Sequence, residues 1–293
     1  MLALIAGTGD LPRALLAALP ERPLICALDG FAPAVKPDVT FRLERLGGLL
    51  RDLKARGVTR ICMAGGVRRP ALALRHFDLA TLRLVPTILR GIRHGDDGAL
   101  RTFIAVLEGH GFAVVGAHEV APDLLPPAGV PTRATPAADH RLDAMMGEGQ
   151  VAVMGAADLG QACVVRHGKI VATEDDRGTD AMLIDLQPLM THTEMAGSPT
   201  EWIVDWIVDS LRQAPPPDPD MEGAILFKAP KPGQDRRADL PVIGLRTAMN
   251  AAAAGLAGIV IEEGGVMVLD RAGVIDVLDA QGMFLWVRPR GTT

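Results

Sequence analysis

The residues best equipped for chemistry lie in residues 226–244, LFKAPKPGQDRRADLPVIG. An apolar strand delivers Lys228. Lys231, Asp235, Arg236, Arg237 and Asp239 then follow on a loop restrained by proline and glycine. Cations interleaved with carboxylates on a restrained backbone suit phosphoryl chemistry: positive charge clamps the oxygens while a carboxylate holds a metal or orients water. The plain alternative is a surface loop of alternating charge. A second acidic group lies in TEDDRGTDAM, residues 173–182, with Glu174, Asp175, Asp176 and Asp180 close in sequence and Asp158 and Gln161 shortly before. Such density is costly unless it is solvated, paired or bound to a cation. A hard ion such as Mg²⁺ takes carboxylate oxygens and keeps water for substrate phosphates. A solvated turn is the competing explanation.

Two glycine turns follow apolar runs. In LIAGTGDLP the run ends at Gly7-Thr8-Gly9, with Asp10 placed to cap a helix that opens on Leu11-Pro12. Either this is a tight βα turn, or its backbone N–H groups cradle a phosphate at a helix start. There is no third glycine at the dinucleotide spacing. In AGGVRRP, Gly65-Gly66 precede Arg68 and Arg69, a basic surface loop or a bidentate anion clamp. Asp96 and Asp97 stand where they could cap a helix at residues 98–109. The histidines show neither HExxH nor HxxxH spacing, and no GxSxG occurs, so a zinc protease or serine acyl transfer is unsupported. Trp202 and Trp206 lie one helical turn apart in EWIVDWIVDSLRQ, as core packing or as a greasy wall for acyl chains.

Those residues must be carried by regular elements. Residues 1–121 alternate short apolar strands (2–6, 24–28, 39–43, 60–64, 112–115) with helical patterns (11–19, 47–56, 98–109). That alternation predicts a Rossmann-like α/β domain with a parallel sheet. Residues 122–136, rich in proline and alanine, read as a linker. Residues 137–293 predict an α+β domain: a helix over 139–154, a hairpin of 161–166 and 169–173 around His167-Gly168, a helix after Gly178, a strand at 224–228, an alanine-rich helix at 247–256, and strands at 258–262 and 266–270.

The 293 residues are 48% hydrophobic and carry a net charge of -5, so a core can form and no basic stripe offers itself to nucleic acid. Aromatic residues are only 3%, which leaves few side chains to serve as base-stacking platforms. Cys26, Cys62 and Cys163 are far apart and lack CxxC spacing, which argues against a zinc cluster or a disulfide framework. No apolar run reaches the roughly 18 residues of a membrane span, and the first apolar run is too short for a secretory signal. A cytoplasmic protein is expected.

Taken in order, LIAGTGDLP, MAGGVRRP, GALRTFIAVLEGHGFAVVGAH, GQACVV, RGTDAM, FKAPKPGQDRRADLPVIG and AAGLAGIVIEEG resemble the LpxI-type UDP-2,3-diacylglucosamine pyrophosphatases of lipid A biosynthesis. The resemblance implies two domains and Mg²⁺-dependent hydrolysis to UMP and 2,3-diacylglucosamine 1-phosphate, with Asp235 and Asp239 as the positions of catalysis. Combined with the residues themselves, it places charge neutralisation on Lys228, Lys231 and Arg236. Substrate binding falls on Gly7, Thr8, Gly9, Gly65, Gly66, Arg68, Gln161 and Thr179, and magnesium on Glu174, Asp180 and Asp235. It further implies a lipid-linked sugar nucleotide drawn from the inner-membrane surface by transient contact, no nucleic acid, and a possible homodimer. A nicotinamide-dependent oxidoreductase and a non-catalytic sugar-nucleotide sensor are the rival functions.

Overall fold

The computed structural model describes residues 1–67, 77–86, 95–187, 221–237 and 239–290. Arg68, Arg69, Trp202, Trp206 and the helix expected around the two tryptophans lie outside the described residues. The chain divides into two compact units. The first is Met1–Leu124 with Gly233–Leu240, and the second is Leu125–Pro232 with Pro241–Thr293.

In the first unit, β1 (Leu2–Ala6), β2 (Leu24–Leu28), β3 (Val39–Phe41), β4 (Arg60–Ala64) and β5 (Ala113–Val115) pair in parallel in the order β3-β2-β1-β4-β5. The helices are α1 (Leu11–Ala18), α2 (Leu46–Ala55), α3 (Leu79–Leu82), α4 (Gly95–Gly109) and α5 (Ala117–Val120). Ala3, Ile5, Cys26, Leu28 and Ile61 form a core with Leu46, Leu49, Leu50 and Leu53 of α2 and with Ile104 and Leu107 of α4. Leu4, Ile25, Ala27 and Cys62, which alternate with those strand residues, are buried too. A sheet covered on both faces explains why its strands read as unbroken apolar runs. The chain runs outward from β1 to β3 and then returns to β1's other side with β4. The topological switch point therefore falls between β1 and β4.

The second unit is mixed, as an α+β domain should be. β6 (Ala162–Arg166), β7 (Lys169–Thr173), β8 (Ile225–Lys228), β10 (Gly258–Glu262) and β12 (Phe284–Arg288) form a sheet in the order β12-β10-β8-β6-β7, with β6 antiparallel to both neighbours. Alternate residues face opposite ways. Val164, Leu226, Ile259, Ile261 and Leu285 pack with α7 (Thr179–Asp185), α8 (Leu245–Ala253) and α9 (Arg271–Ala280), while Cys163, Ile225, Phe227 and Val260 pack with α6 (Ala138–Ala156). The hairpin turn has His167 at φ 48° and Gly168 at φ 74°, as a tight two-residue connection requires.

Some details differ from expectation. α4 starts at Gly95, so Asp96 and Asp97 fall inside its first turn and not ahead of it. The strand expected at 266–270 shrinks to β11 (Met267–Val268), which pairs with β9 (Val242–Ile243) in a separate two-stranded sheet. The proline-rich stretch is fastened to β12. Gly129 and Val287 exchange backbone hydrogen bonds of 3.0 and 2.8 Å, and Leu285 N–H donates to Thr132 Oγ1 at 2.9 Å. All three cysteines are buried and free. Burial pushes the Cys26 thiol to about 11 and those of Cys62 and Cys163 to about 12, so each packs as an inert apolar group.

Candidate active site

The two glycine turns meet at the switch point. Thr8 N–H donates to Gly66 O at 2.8 Å, Gly66 N–H donates back to Thr8 O at 2.9 Å, and Thr8 Oγ1 donates to Gly66 O at 3.0 Å. A Cβ on Gly7 would lie 2.5 Å from Gly66 O, and one on Gly65, at φ 92°, would lie 2.5 Å from Thr8 O. The glycines are thus explained first by backbone contact between turns. Gly7 N–H is engaged as well, by Ala64 O at 2.8 Å. An anion here would draw on the amides that open α1, after Gly9, and not on those of Gly7, Thr8 or Gly66. Asp10 holds the N-cap position of α1, but its side chain makes no capping bond.

The same unit holds the loop Gly233–Leu240. Arg237 folds back on Asp235, with Nε–Oδ1 at 3.0 Å, Nη2–Oδ2 at 2.8 Å, and its own N–H donating to Oδ1 at 3.1 Å. Its remaining Nη1 reaches Glu108 of α4 at 2.7 Å, and Arg101 of α4 donates to Gly233 O at 2.6 Å. Gln234 steadies Asp239 at 2.9 Å. The Arg237 hydrogen bonds hold the Asp235 carboxyl below the usual carboxylate range, against a smaller opposing effect of burial. Arg237 is the guanidinium that holds Asp235, and Lys231 pairs with Asp158 at 2.6 Å. Arg101 and Glu108 are therefore site-shaping residues that the sequence pattern did not single out, and Arg237, named there only as one of the loop's charges, is the residue that grips Asp235.

In the second unit, four sequence candidates converge at one edge of the sheet. β8 ends at Lys228, directly opposite Ala162, so Gln161 and Lys228 share an edge, and Glu174 follows the end of β7. Lys228, only 6% exposed, donates to Thr179 Oγ1 at 2.8 Å and to Val242 O at 3.1 Å. An ammonium can only donate, so the Thr179 hydroxyl must pass its own hydrogen to Glu174 Oε1, at 2.7 Å. Gln161 N–H donates to Glu174 Oε2, also at 2.7 Å. The buried Gln161 Oε1 has no partner among the described residues. Gly178, at φ 91°, turns the chain so that Thr179 opens α7.

Asp180 faces elsewhere, accepting from Arg246 at 2.5 Å and Thr247 at 3.0 Å. The rest of the acidic turn is a paired surface, with Arg177 bridging Asp175 at 2.8 Å and Asp185 at 2.6 Å. Glu174, Asp180 and Asp235 thus each direct both carboxylate oxygens to protein donors. Among the described residues, no three His, Cys, Asp or Glu side chains gather as metal ligands would. This donor set does not fit a resident divalent ion held by those three carboxylates.

Comparison with known proteins agrees with both halves. The family profile described as the LpxI N-terminal domain matches residues 1–124, and that of the LpxI C-terminal domain matches residues 127–286. The UDP-2,3-diacylglucosamine pyrophosphatase LpxI of Caulobacter vibrioides is 34% identical over 290 residues, covering 97% of this chain and 96% of that protein. The matched span contains the glycine turns, the charged loop and the Lys228–Thr179–Glu174 chain alike. This chain belongs to the LpxI family.

Proposed function

We propose that this chain hydrolyses the diphosphate of UDP-2,3-diacylglucosamine, releasing UMP and 2,3-diacylglucosamine 1-phosphate in lipid A biosynthesis. The observation that carries this reading is the full-length match to the Caulobacter pyrophosphatase. In such a reaction water adds to one phosphorus, the bridging oxygen departs with the other phosphate, and negative charge gathers on the phosphoryl oxygens. Asp235, kept ionised by Arg237, orients the water, with Asp239 as the second loop carboxylate. Arg236 lies on the same loop and neutralises the developing charge. In the second unit Lys228 and Lys231 supply further positive charge, while Gln161 and Thr179 hold substrate groups.

Magnesium finds no ready cage in the described residues. It suits this protein as an ion carried on the diphosphate itself, because Mg²⁺ needs few carboxylates beside phosphate oxygens and water. Its chemistry there is to neutralise and polarise the phosphoryl oxygens. Among the described residues no helix is long and apolar enough to cross a membrane. A diacylated substrate is consistent with transient contact at the cytoplasmic surface of the inner membrane, with a homodimer as the proposed oligomer. Incubating the purified protein with UDP-2,3-diacylglucosamine and Mg²⁺ is expected to yield UMP, and EDTA is expected to stop it. Failure to form UMP over a range of enzyme concentrations would remove this reading.

A further inference from the structure

β5 ends at Val115, at the carboxyl edge of the first unit's parallel sheet, the edge where open α/β sheets bind ligands. Gly116 and α5 follow, bringing His118 to that edge. The charged loop arrives at the same place: a Cβ on Gly116 would lie 3.3 Å from Arg236 O, 2.5 Å from His118 Cε1 and 2.7 Å from His118 Nδ1. The imidazole thus lies against Gly116, beside the loop that carries Asp235 and Asp239.

The two ring nitrogens are not equivalent. Nδ1 is buried without a hydrogen-bond partner. Nε2 is not sealed in this way, and among the described residues no group bonds to it. A buried N–H with no acceptor is rarer and costlier than an unused lone pair, so the proton of a neutral ring belongs on Nε2. Burial holds the ring below the usual histidine range; Glu119 opposes it, and Arg236 adds a still smaller effect in the same direction as burial. The other groups around α5 leave that balance in place. Glu119 turns back to accept Gly116 N–H at 2.8 Å, Cys62 of β4 is a neutral thiol, and Asp123 on the following turn is exposed.

We infer that His118 contacts the substrate, offering Nε2–H from a neutral imidazole as a hydrogen-bond donor to an anionic oxygen of the diphosphate. This rests on the function proposed above and gives it a residue the charged loop alone does not supply. A neutral donor on the same edge as the charged loop can hold a phosphoryl oxygen without adding a second cation. A general base at Nε2 would need the proton on Nδ1, where the protein provides no acceptor.

Four measurements test this. In ¹⁵N-histidine-labelled protein at neutral pH, long-range ¹H–¹⁵N correlation is expected to show His118 protonated on Nε2, and titrated UMP is expected to move that resonance. An Nδ1-protonated or cationic ring, or a resonance indifferent to UMP, overturns the proposal even if turnover fails for other reasons. In turnover assays His118→Ala is expected to lose roughly 10- to 100-fold in kcat/KM, the effect of one hydrogen bond to a charged group. His118→Gln, which places an amide N–H near the Nε2 position, is expected to recover most of that loss. A Gln variant as impaired as the Ala variant, or an Ala variant with wild-type kcat/KM, refutes donation from Nε2. Gly116→Ala supplies an independent arm, because the backbone at φ -72° and ψ 153° accepts alanine and the new methyl overlaps the ring at 2.5 Å while meeting Arg236 O only at 3.3 Å. It should lose activity without a lower unfolding midpoint, and the double variant with His118→Ala should be no worse than His118→Ala alone. An additive double variant contradicts the seating.

Discussion

Asp235 and Arg237 behave as one group. The guanidinium takes both carboxylate oxygens and then reaches Glu108, so the carboxylate is fixed in direction and in charge. Asp235→Asn should lower kcat by roughly 10²–10⁴-fold, the usual range for a residue that handles the attacking group. Substrate affinity, measured by equilibrium binding, should change little, because acyl chains and uridine provide contacts elsewhere. The pH dependence follows from the ion pair. Arg237 depresses the Asp235 pKa, so the carboxylate stays charged into mildly acidic solution and loses its charge only as pH falls through that lowered value. Arg237→Ala removes the main cause, and the acid limb of kcat/KM should move to higher pH. An unmoved limb would mean that Asp235 is not the group whose charge matters. That this loop gathers cations and carboxylates was legible from residue types alone. Which arginine of the Arg236-Arg237 pair grips Asp235 was not, because both side chains are identical and only the local turn decides. His118 was less legible still: its meaning depends on a glycine two residues back and on a loop more than a hundred residues onward.

Strands and helices with strong periodicity were legible to within a few residues: β1, β2, β4, β8, β10, the hairpin β6–β7 and the long helix α6. Those set by long-range pairing were not. β9 is two residues long, too short for a pattern, and exists because it pairs with β11, the two-residue remainder of the strand read at 266–270. α9 and β12 drew no reading, yet β12 is the edge strand to which the proline-rich stretch is fastened. The hairpin carries its own test. Asp143 of α6 is 1% exposed, and its carboxylate accepts the N–H groups of His167 and Gly168 at 3.1 and 2.5 Å. Asp143→Ala strands two turn amides and should lower the unfolding free energy by about 2–4 kcal/mol, as one or two buried unsatisfied groups cost. Urea denaturation measures this, and a loss below half a kilocalorie would show that water replaces the carboxylate without penalty.

At the scale of the whole molecule the two units are not simple halves of the chain. The first unit takes Gly233–Leu240 from within the C-terminal sequence, and Arg101 and Glu108 each take a partner from this segment. A fragment of residues 1–124 contains its entire parallel sheet and the core around it, so it should fold, with native-like circular dichroism. It should release no UMP from the substrate, because Asp235 and Asp239 are missing. Turnover by that fragment would place the chemistry outside the charged loop.

That returning segment also imposes an order of events during synthesis. A ribosome finishes Leu124 more than a hundred residues before it reaches Gly233. At about 5–20 residues per second the gap is roughly 5–20 seconds, far longer than a small α/β sheet needs to form. The first unit therefore leaves the ribosome folded but without the segment that carries Asp235 and Asp239, and a nascent chain is inert until most of the second unit's sequence has been made.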